Sequence, residues 1–225
     1  MFDKLHDIII KINEIAEYIK HGMFKDRTVL VFGESMAGKD TFIKILLGLK
    51  YEDLPKKEGK VKTFFRKVFR IKDRRKLGTD ETFIYEIIKS KKIGNDKKKP
   101  YYFINTPGNN NSRKKQTIDT ARKIPHSMRC YIFDCRYYNT IDNIFYLFNN
   151  IKKMMVRKNI ERGIINMVNF SLENENIKCF AIGTHGNELQ NKIEVEKKIS
   201  DLGVRCKIFE LSESPQDEII NFILD

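Results

Sequence analysis

The chain has 225 residues, enough for one α/β domain with additions and a real core, and its 41% hydrophobic and 32% charged content describes a soluble globular protein. No apolar run is long enough to span a bilayer, and Asp, Lys and Glu interrupt the N-terminus too often for a signal peptide, which predicts a cytoplasmic location. The formal net charge of +13 permits contact with phosphates, nucleic acid or an anionic membrane surface, yet the lysines are spread along the whole sequence and single out no partner.

Residues 2–21 carry Leu5, Ile8, Ile12, Ile15 and Ile19 three and four apart, which predicts an amphipathic helix, with Gly22 as its stop. Residues 1–26 are therefore expected to form an N-terminal helix ahead of a domain spanning 27–225. Thr28 to Phe32 is a short β-branched and apolar run, a buried strand. It breaks at Gly33, and a second apolar periodic stretch from Phe42 to Leu49 predicts a helix. Between them stands Gly33-x-x-x-x-Gly38-Lys39, the spacing of a phosphate-cradling loop. The two glycines let the backbone curl so that successive N–H groups can face an anion, and the helix start adds its unpaired donors. The candidate phosphate contacts are Gly33, Glu34, Ser35, Met36, Ala37, Gly38 and Lys39, followed by Asp40 and Thr41. Asp40 stands where such loops usually carry Ser or Thr. A carboxylate there suits a divalent cation, and without one it repels phosphate.

Residues 51–78 are rich in Lys and Arg, with a strand expected over Lys62 to Ile71 and a basic knot at Arg74-Arg75-Lys76. Thr82 to Ile88 and Tyr101 to Asn105 read as a hairpin joined through a lysine-rich turn, the second strand ending at Thr106-Pro107-Gly108. A polar loop running into a short helix covers 109–123, and Met128 to Phe133 is the next buried strand, ending at Asp134. A long helical region runs from about Ile141 to Leu172, with Gly163 a place where it could break. Ile177 to Gly183 is a strand, Glu188 to Leu202 a helix stopped by Gly203, and Val204 to Leu211 the last strand. The last helix runs from Pro215 to Leu224, with Ser214 as its N-cap. The four cysteines, Cys130, Cys135, Cys179 and Cys206, lie in or beside strands without metal-ligand spacing, as expected of reduced thiols.

Strands alternating with helices predict a three-layer α/β/α fold around a mostly parallel six-stranded sheet with one antiparallel edge strand. Ligands collect at the carboxyl ends of the strands in such a sheet, where the phosphate loop, Gly108, Thr184 and Ser212 all fall.

From residue 28 onward the pattern resembles a Ras-like P-loop GTPase. The resemblance implies GTP/GDP and Mg2+ as ligands. The Asp-x-x-Gly element of that family reads Asn105-Thr106-Pro107-Gly108 here, which places an uncharged amide in the metal-holding position. The metal set implied by the resemblance is Asp40, Thr79 and Asn105, with the Asp40 carboxylate offsetting the loss at Asn105. Gly108 would touch the terminal phosphate, Asn109 would stand in for the glutamine that positions water, and Thr79, or else Thr82, would cap the γ-phosphate; Asn109 and Thr79 are the catalytic candidates. The base-reading motif corresponds to Thr184-His185-Gly186-Asn187, and Asn187 offers one acceptor and one donor where the family has a carboxylate, so guanine selectivity is open. Glu188 could serve in its place. Ser212-Glu213-Ser214 resembles the family's loop after the last strand.

The function implied is a divergent GTP/GDP switch with slow or partner-dependent hydrolysis, its protein partner reached through the switch loops or the N-terminal helix. Two other readings stand beside it. One is a P-loop nucleotide or small-molecule kinase, with Asp134 as metal carboxylate. The other is a non-hydrolysing interaction module.

Overall fold

In the computed structural model the described residues are 17–48, 83–88, 100–106, 122–139, 147–169, 176–213 and 216–224. The predicted strand over Lys62 to Ile71, the basic knot, most of the N-terminal helix and the loop over 109–121 lie outside them.

Among the described residues six strands form one sheet: β1 (Thr28–Gly33), β2 (Phe83–Ile88), β3 (Pro100–Asn105), β4 (Met128–Asp134), β5 (Lys178–Thr184) and β6 (Arg205–Ile208). Their order is β2-β3-β1-β4-β5-β6. The five strands from β3 to β6 are parallel, and β2 pairs antiparallel with β3 through Phe83↔Asn105 to Ile88↔Pro100. β1 and β4 are the innermost strands and are buried along nearly their whole length, which is why they read as continuous apolar runs rather than alternations.

The two faces of the sheet are covered by different helices. Val29, Val31, Cys130, Ile132, Phe180 and Ile182 point to one face and pack against α1 (Lys39–Leu46) and the C-terminal helix Gln216–Leu224. Tyr131, Phe133 and Ala181 point to the other, against α2 (Leu147–Asn169) and α3 (Lys192–Ser200). In chain order the C-terminal helix is α4. On that second face, toward β3, Ile19 packs with Leu30, Tyr102 and Ile104, so the helical residues 17–20 lie on the sheet.

Several elements differ from expectation. α2 runs unbroken through Gly163, because that glycine lies against Tyr131: a Cβ there would stand 2.2 Å from the Tyr131 hydroxyl. Its role is close approach of helix to sheet, not interruption. α3 begins at Lys192 rather than Glu188, since Gly186–Glu188 forms a 3-10 turn first. β6 ends at Ile208, after which Phe209 still donates its N–H to Gly183 O at 2.9 Å while the chain turns away. All four cysteines are free thiols.

Candidate functional site

The carboxyl ends of β1, β3, β4 and β5 bring most of the described candidate residues together. Gly33 ends β1 with φ +144°, and a Cβ on it would stand 2.1 Å from Ile132 O on the neighbouring strand. No other residue fits there, so the turn out of the sheet is fixed by sequence. Ala37 N–H closes back on Glu34 O at 3.3 Å, Met36 takes the left-handed region (φ 68°), and Gly38 does so again (φ 89°) as the residue capping α1. Two left-handed residues within one short loop produce the curl that the glycine spacing predicts.

Lys39 is the first residue of α1 and is 5% exposed. Its ammonium reaches back across the loop and donates to Gly33 O and to Glu34 O, both at 2.8 Å. Burial lowers its pKa to about 8, opposed by the nearby charges of Asp40 and Glu34. A buried cation held by two carbonyls at a helix start is an arrangement that an anion can complete. Glu34 is half-buried and accepts from the Tyr131 hydroxyl at 3.1 Å. Desolvation raises its pKa, with the Tyr131 bond and Lys39 pulling the other way.

Asp40 is exposed at the second position of α1, and one of its oxygens accepts from Asn105 Nδ2 at 2.8 Å. Asn105 itself is fully buried, and its Oδ1 has no hydrogen-bond partner among the described residues. Thr41, one residue on, is half-buried.

At the end of β5, Thr184 is 1% exposed, and its hydroxyl lies 3.1 Å from Ala37 O and 3.3 Å from Phe133 O. A Cβ on Gly38 would come within 3.3 Å of the Thr184 methyl, so the phosphate-type loop rests directly on this residue. His185 adopts the left-handed region (φ 62°), with its ring 3.5 Å from the Glu188 carboxylate. Glu188 also meets Arg136 at 3.4 Å.

Beyond His185 the two strand-end loops are knitted together. Asn187 N–H donates to Glu210 at 3.3 Å, and Asn187 Nδ2 donates to Glu213 at 2.7 Å. Ser212 donates to Glu210 through both its backbone N–H and its hydroxyl. Burial pushes the Glu210 carboxyl up, but these hydrogen bonds outweigh it and hold it below the ordinary range. An open concavity of about 250 Å³ lies here, lined by Gly186, Asn187, Phe209, Glu210 and Glu213 among others.

Chemically, the first cluster supplies a cation, a glycine curl and a helix start, which suit a phosphate chain. The second supplies carboxylate acceptors beside an amide, which suit a group with several N–H donors. Of the magnesium set expected from the sequence, Asp40 and Asn105 bond each other, the amide presenting its N–H rather than its oxygen to the carboxylate, and Thr79 lies outside the described residues. No group of three or more His, Cys, Asp or Glu side chains able to hold a metal occurs among the described residues.

No protein-family model matches the chain, and no curated protein does. Among solved structures it is similar to one titled "The Structure of the Mammalian SRP Receptor", at a TM-score of 0.56 and 10% sequence identity, covering 87% of this chain and 97% of that chain. The likeness shows a shared fold. At that identity, residue roles do not pass from the mammalian SRP receptor chain to this one and rest on the geometry above.

Thr79, Thr82, Gly108 and Asn109 lie outside the described residues. Asp134, the metal carboxylate of the kinase reading, accepts from the Arg136 guanidinium at 2.8 Å and from the Arg136 backbone N–H, so it caps a 3-10 turn. Tyr131, Arg136 and Glu210 had no local signal in the sequence. Tyr131 sat within an apolar strand pattern, and the other two were ordinary charges at strand ends. Among the described residues no helix is long and apolar enough to cross a membrane.

Proposed function

We propose that this chain binds a guanine nucleotide and works as a GTP/GDP switch with slow or partner-dependent hydrolysis. The phosphates would lie over Gly33 to Thr41, and the base between Thr184-His185-Gly186-Asn187 and Ser212-Glu213. The observation that carries this reading is Lys39, whose buried ammonium is drawn across the Gly33–Gly38 curl at the carboxyl end of a central parallel strand. The fold shared with the mammalian SRP receptor and the motif order of a Ras-like P-loop GTPase support it. Segments around Thr79 and Gly108 would change arrangement with the nucleotide, and they or the N-terminal helix would meet a protein partner.

The kinase reading loses support because the Asp134 carboxylate is engaged by Arg136. The test is a binding panel of GTP, GDP, ATP, ADP and XTP on wild type and Lys39→Ala. Guanine nucleotides that bind wild type and not Lys39→Ala support the reading; an absence of binding by every nucleotide refutes it. Phosphate release from bound GTP, measured in single turnover, separates a slow GTPase from a module that only holds its ligand.

A further inference from the structure

Two side chains that the metal-dependent form of this site would use as ligands are bonded to each other instead. Asp40, at the start of α1, accepts from Asn105, at the end of β3, with Nδ2 and Oδ1 at 2.8 Å. The orientation of that amide follows from chemistry. A carboxylate can only accept, so the nitrogen must face it, and the amide oxygen must point away. That oxygen is buried and has no partner among the described residues, in a side chain with no exposed surface.

A cation shared by Asp40 and Asn105 would need the amide rotated by half a turn. Rotation breaks a charge-assisted hydrogen bond and leaves Nδ2, in place of Oδ1, as the buried atom without a partner. The exchange therefore offers no relief of the existing orphan. Magnesium also demands near-ideal octahedral geometry and is usually held by one or two carboxylates together with phosphates. Among the described residues a single carboxylate, Asp40, meets Asn105 here, and one of its oxygens is already engaged.

We infer that the Asp40–Asn105 bond excludes a divalent cation from this site, so that the nucleotide is held without one. This inference rests on the nucleotide-binding reading. The bond ties the first turn of α1 directly to the end of β3, a junction an ion would otherwise bridge. Among the described residues Lys39 and the helix start are then the positive groups left for phosphate. The pairing is specific to the residues found here: a hydroxyl at position 40 could not anchor the amide as a charged acceptor, and a carboxylate at position 105 could not donate.

The experiment has two arms. In the first, a fluorescent guanosine diphosphate is titrated into the full chain in excess MgCl2 or in excess EDTA. The two affinities are expected within about threefold, roughly half a tenfold step in free energy. A loss of thirtyfold or so in EDTA overturns the inference.

The second arm needs no nucleotide. Mn2+ uptake is followed by electron paramagnetic resonance in wild type and in Asn105→Asp, where two carboxylates would face each other. Uptake by the variant alone is expected, together with a rise in its melting temperature on adding Mn2+. Uptake by wild type, or none by a folded variant, overturns the inference, because the amide would then not be what excludes the ion. If Asn105→Asp does not fold, Asp40→Ser replaces it, with Mg2+-dependent nucleotide affinity as the expected gain and unchanged indifference to Mg2+ as the refuting result. Absence of nucleotide binding in the first arm refutes the nucleotide reading, and with it the claim that nucleotide is held; the Mn2+ arm still decides whether the bond excludes the ion.

Discussion

Replacing Lys39 by Met removes a buried charge while keeping most of the apolar stem in place. In the folded chain Lys39 has its pKa lowered to about 8 by burial, against an ordinary value of 10.5. Between those two pH values the unfolded chain holds a proton that the folded chain lacks. Stability conferred through this side chain therefore rises with pH across that window. The penalty is fully present below pH 8 and is gone above 10.5. Its size is roughly 3 kcal/mol, from 1.36 kcal/mol for each tenfold change in the proton equilibrium. Urea unfolding of wild type and Lys39→Met, run from pH 7 to pH 10.5, should show wild type gaining about that much relative to the variant. Since other lysines titrate in both proteins, the difference between the two curves is the quantity to read. Parallel curves would refute the argument, and a wild type that loses stability relative to Lys39→Met over this range would reverse its sign. A phosphate placed against Lys39 would restore the ammonium, so nucleotide binding above pH 8 should take up close to one proton, measurable by calorimetry in buffers of different ionisation heat.

Gly33→Ala puts a Cβ within 2.1 Å of Ile132 O at φ +144°, and backbone on both sides must move; a loss of roughly 3 kcal/mol or more in urea unfolding is expected, and a loss under about 1 kcal/mol would show that the turn can relax. Thr184→Val keeps the branched shape and removes the hydroxyl facing Ala37 O and Phe133 O. It should cost about 1–2 kcal/mol and weaken nucleotide binding with the overall fold retained by circular dichroism; an unchanged affinity would show that the tie between β5 and the loop is dispensable. Tyr131→Phe deletes the hydrogen bond that counters the burial of Glu34, so the Glu34 pKa, already raised, should rise further in a carboxyl-carbon NMR titration; a fall would contradict the assigned donor.

Much of this was legible because it is local. The β-branched run into Gly33, the second glycine and Lys39 predict strand, curl and helix within a dozen residues, and the fold places them so. Buried inner strands likewise announce themselves as apolar runs. What was not legible depends on residues distant in sequence. Gly163 looks like a helix breaker to any local rule, and only the ring of Tyr131, brought against it by sheet packing, shows why a glycine is needed. Asp40 and Asn105 were each read as metal ligands from their positions in separate motifs; their being close enough to bond one another follows from β1 and β3 being adjacent strands. Glu188, which the sequence offers in place of Asn187, meets Arg136, placed by the turn after β4, a contact that no local pattern reveals.

The adjacency that hides these pairs from the sequence also gives the site its mechanical character. Thr184 joins β5 to Ala37, Tyr131 joins β4 to Glu34, and Asn105 joins β3 to Asp40, so strands on both sides of β1 reach the loop or the helix start behind it through side-chain hydrogen bonds. At about 1 kcal/mol for each neutral bond and up to about 3 where a charge takes part, the loop is fixed by several ties acting from different strands. Loss of any one should therefore shift ligand affinity more than fold stability. Simultaneous loss of Thr184 and Asn105 contacts should exceed the sum of the single effects, since each alone leaves the curl held from the opposite side. A double-mutant cycle of Thr184→Val with Asn105→Ala measures that coupling, and strict additivity would mean that the loop is shaped by its glycines and Lys39 alone.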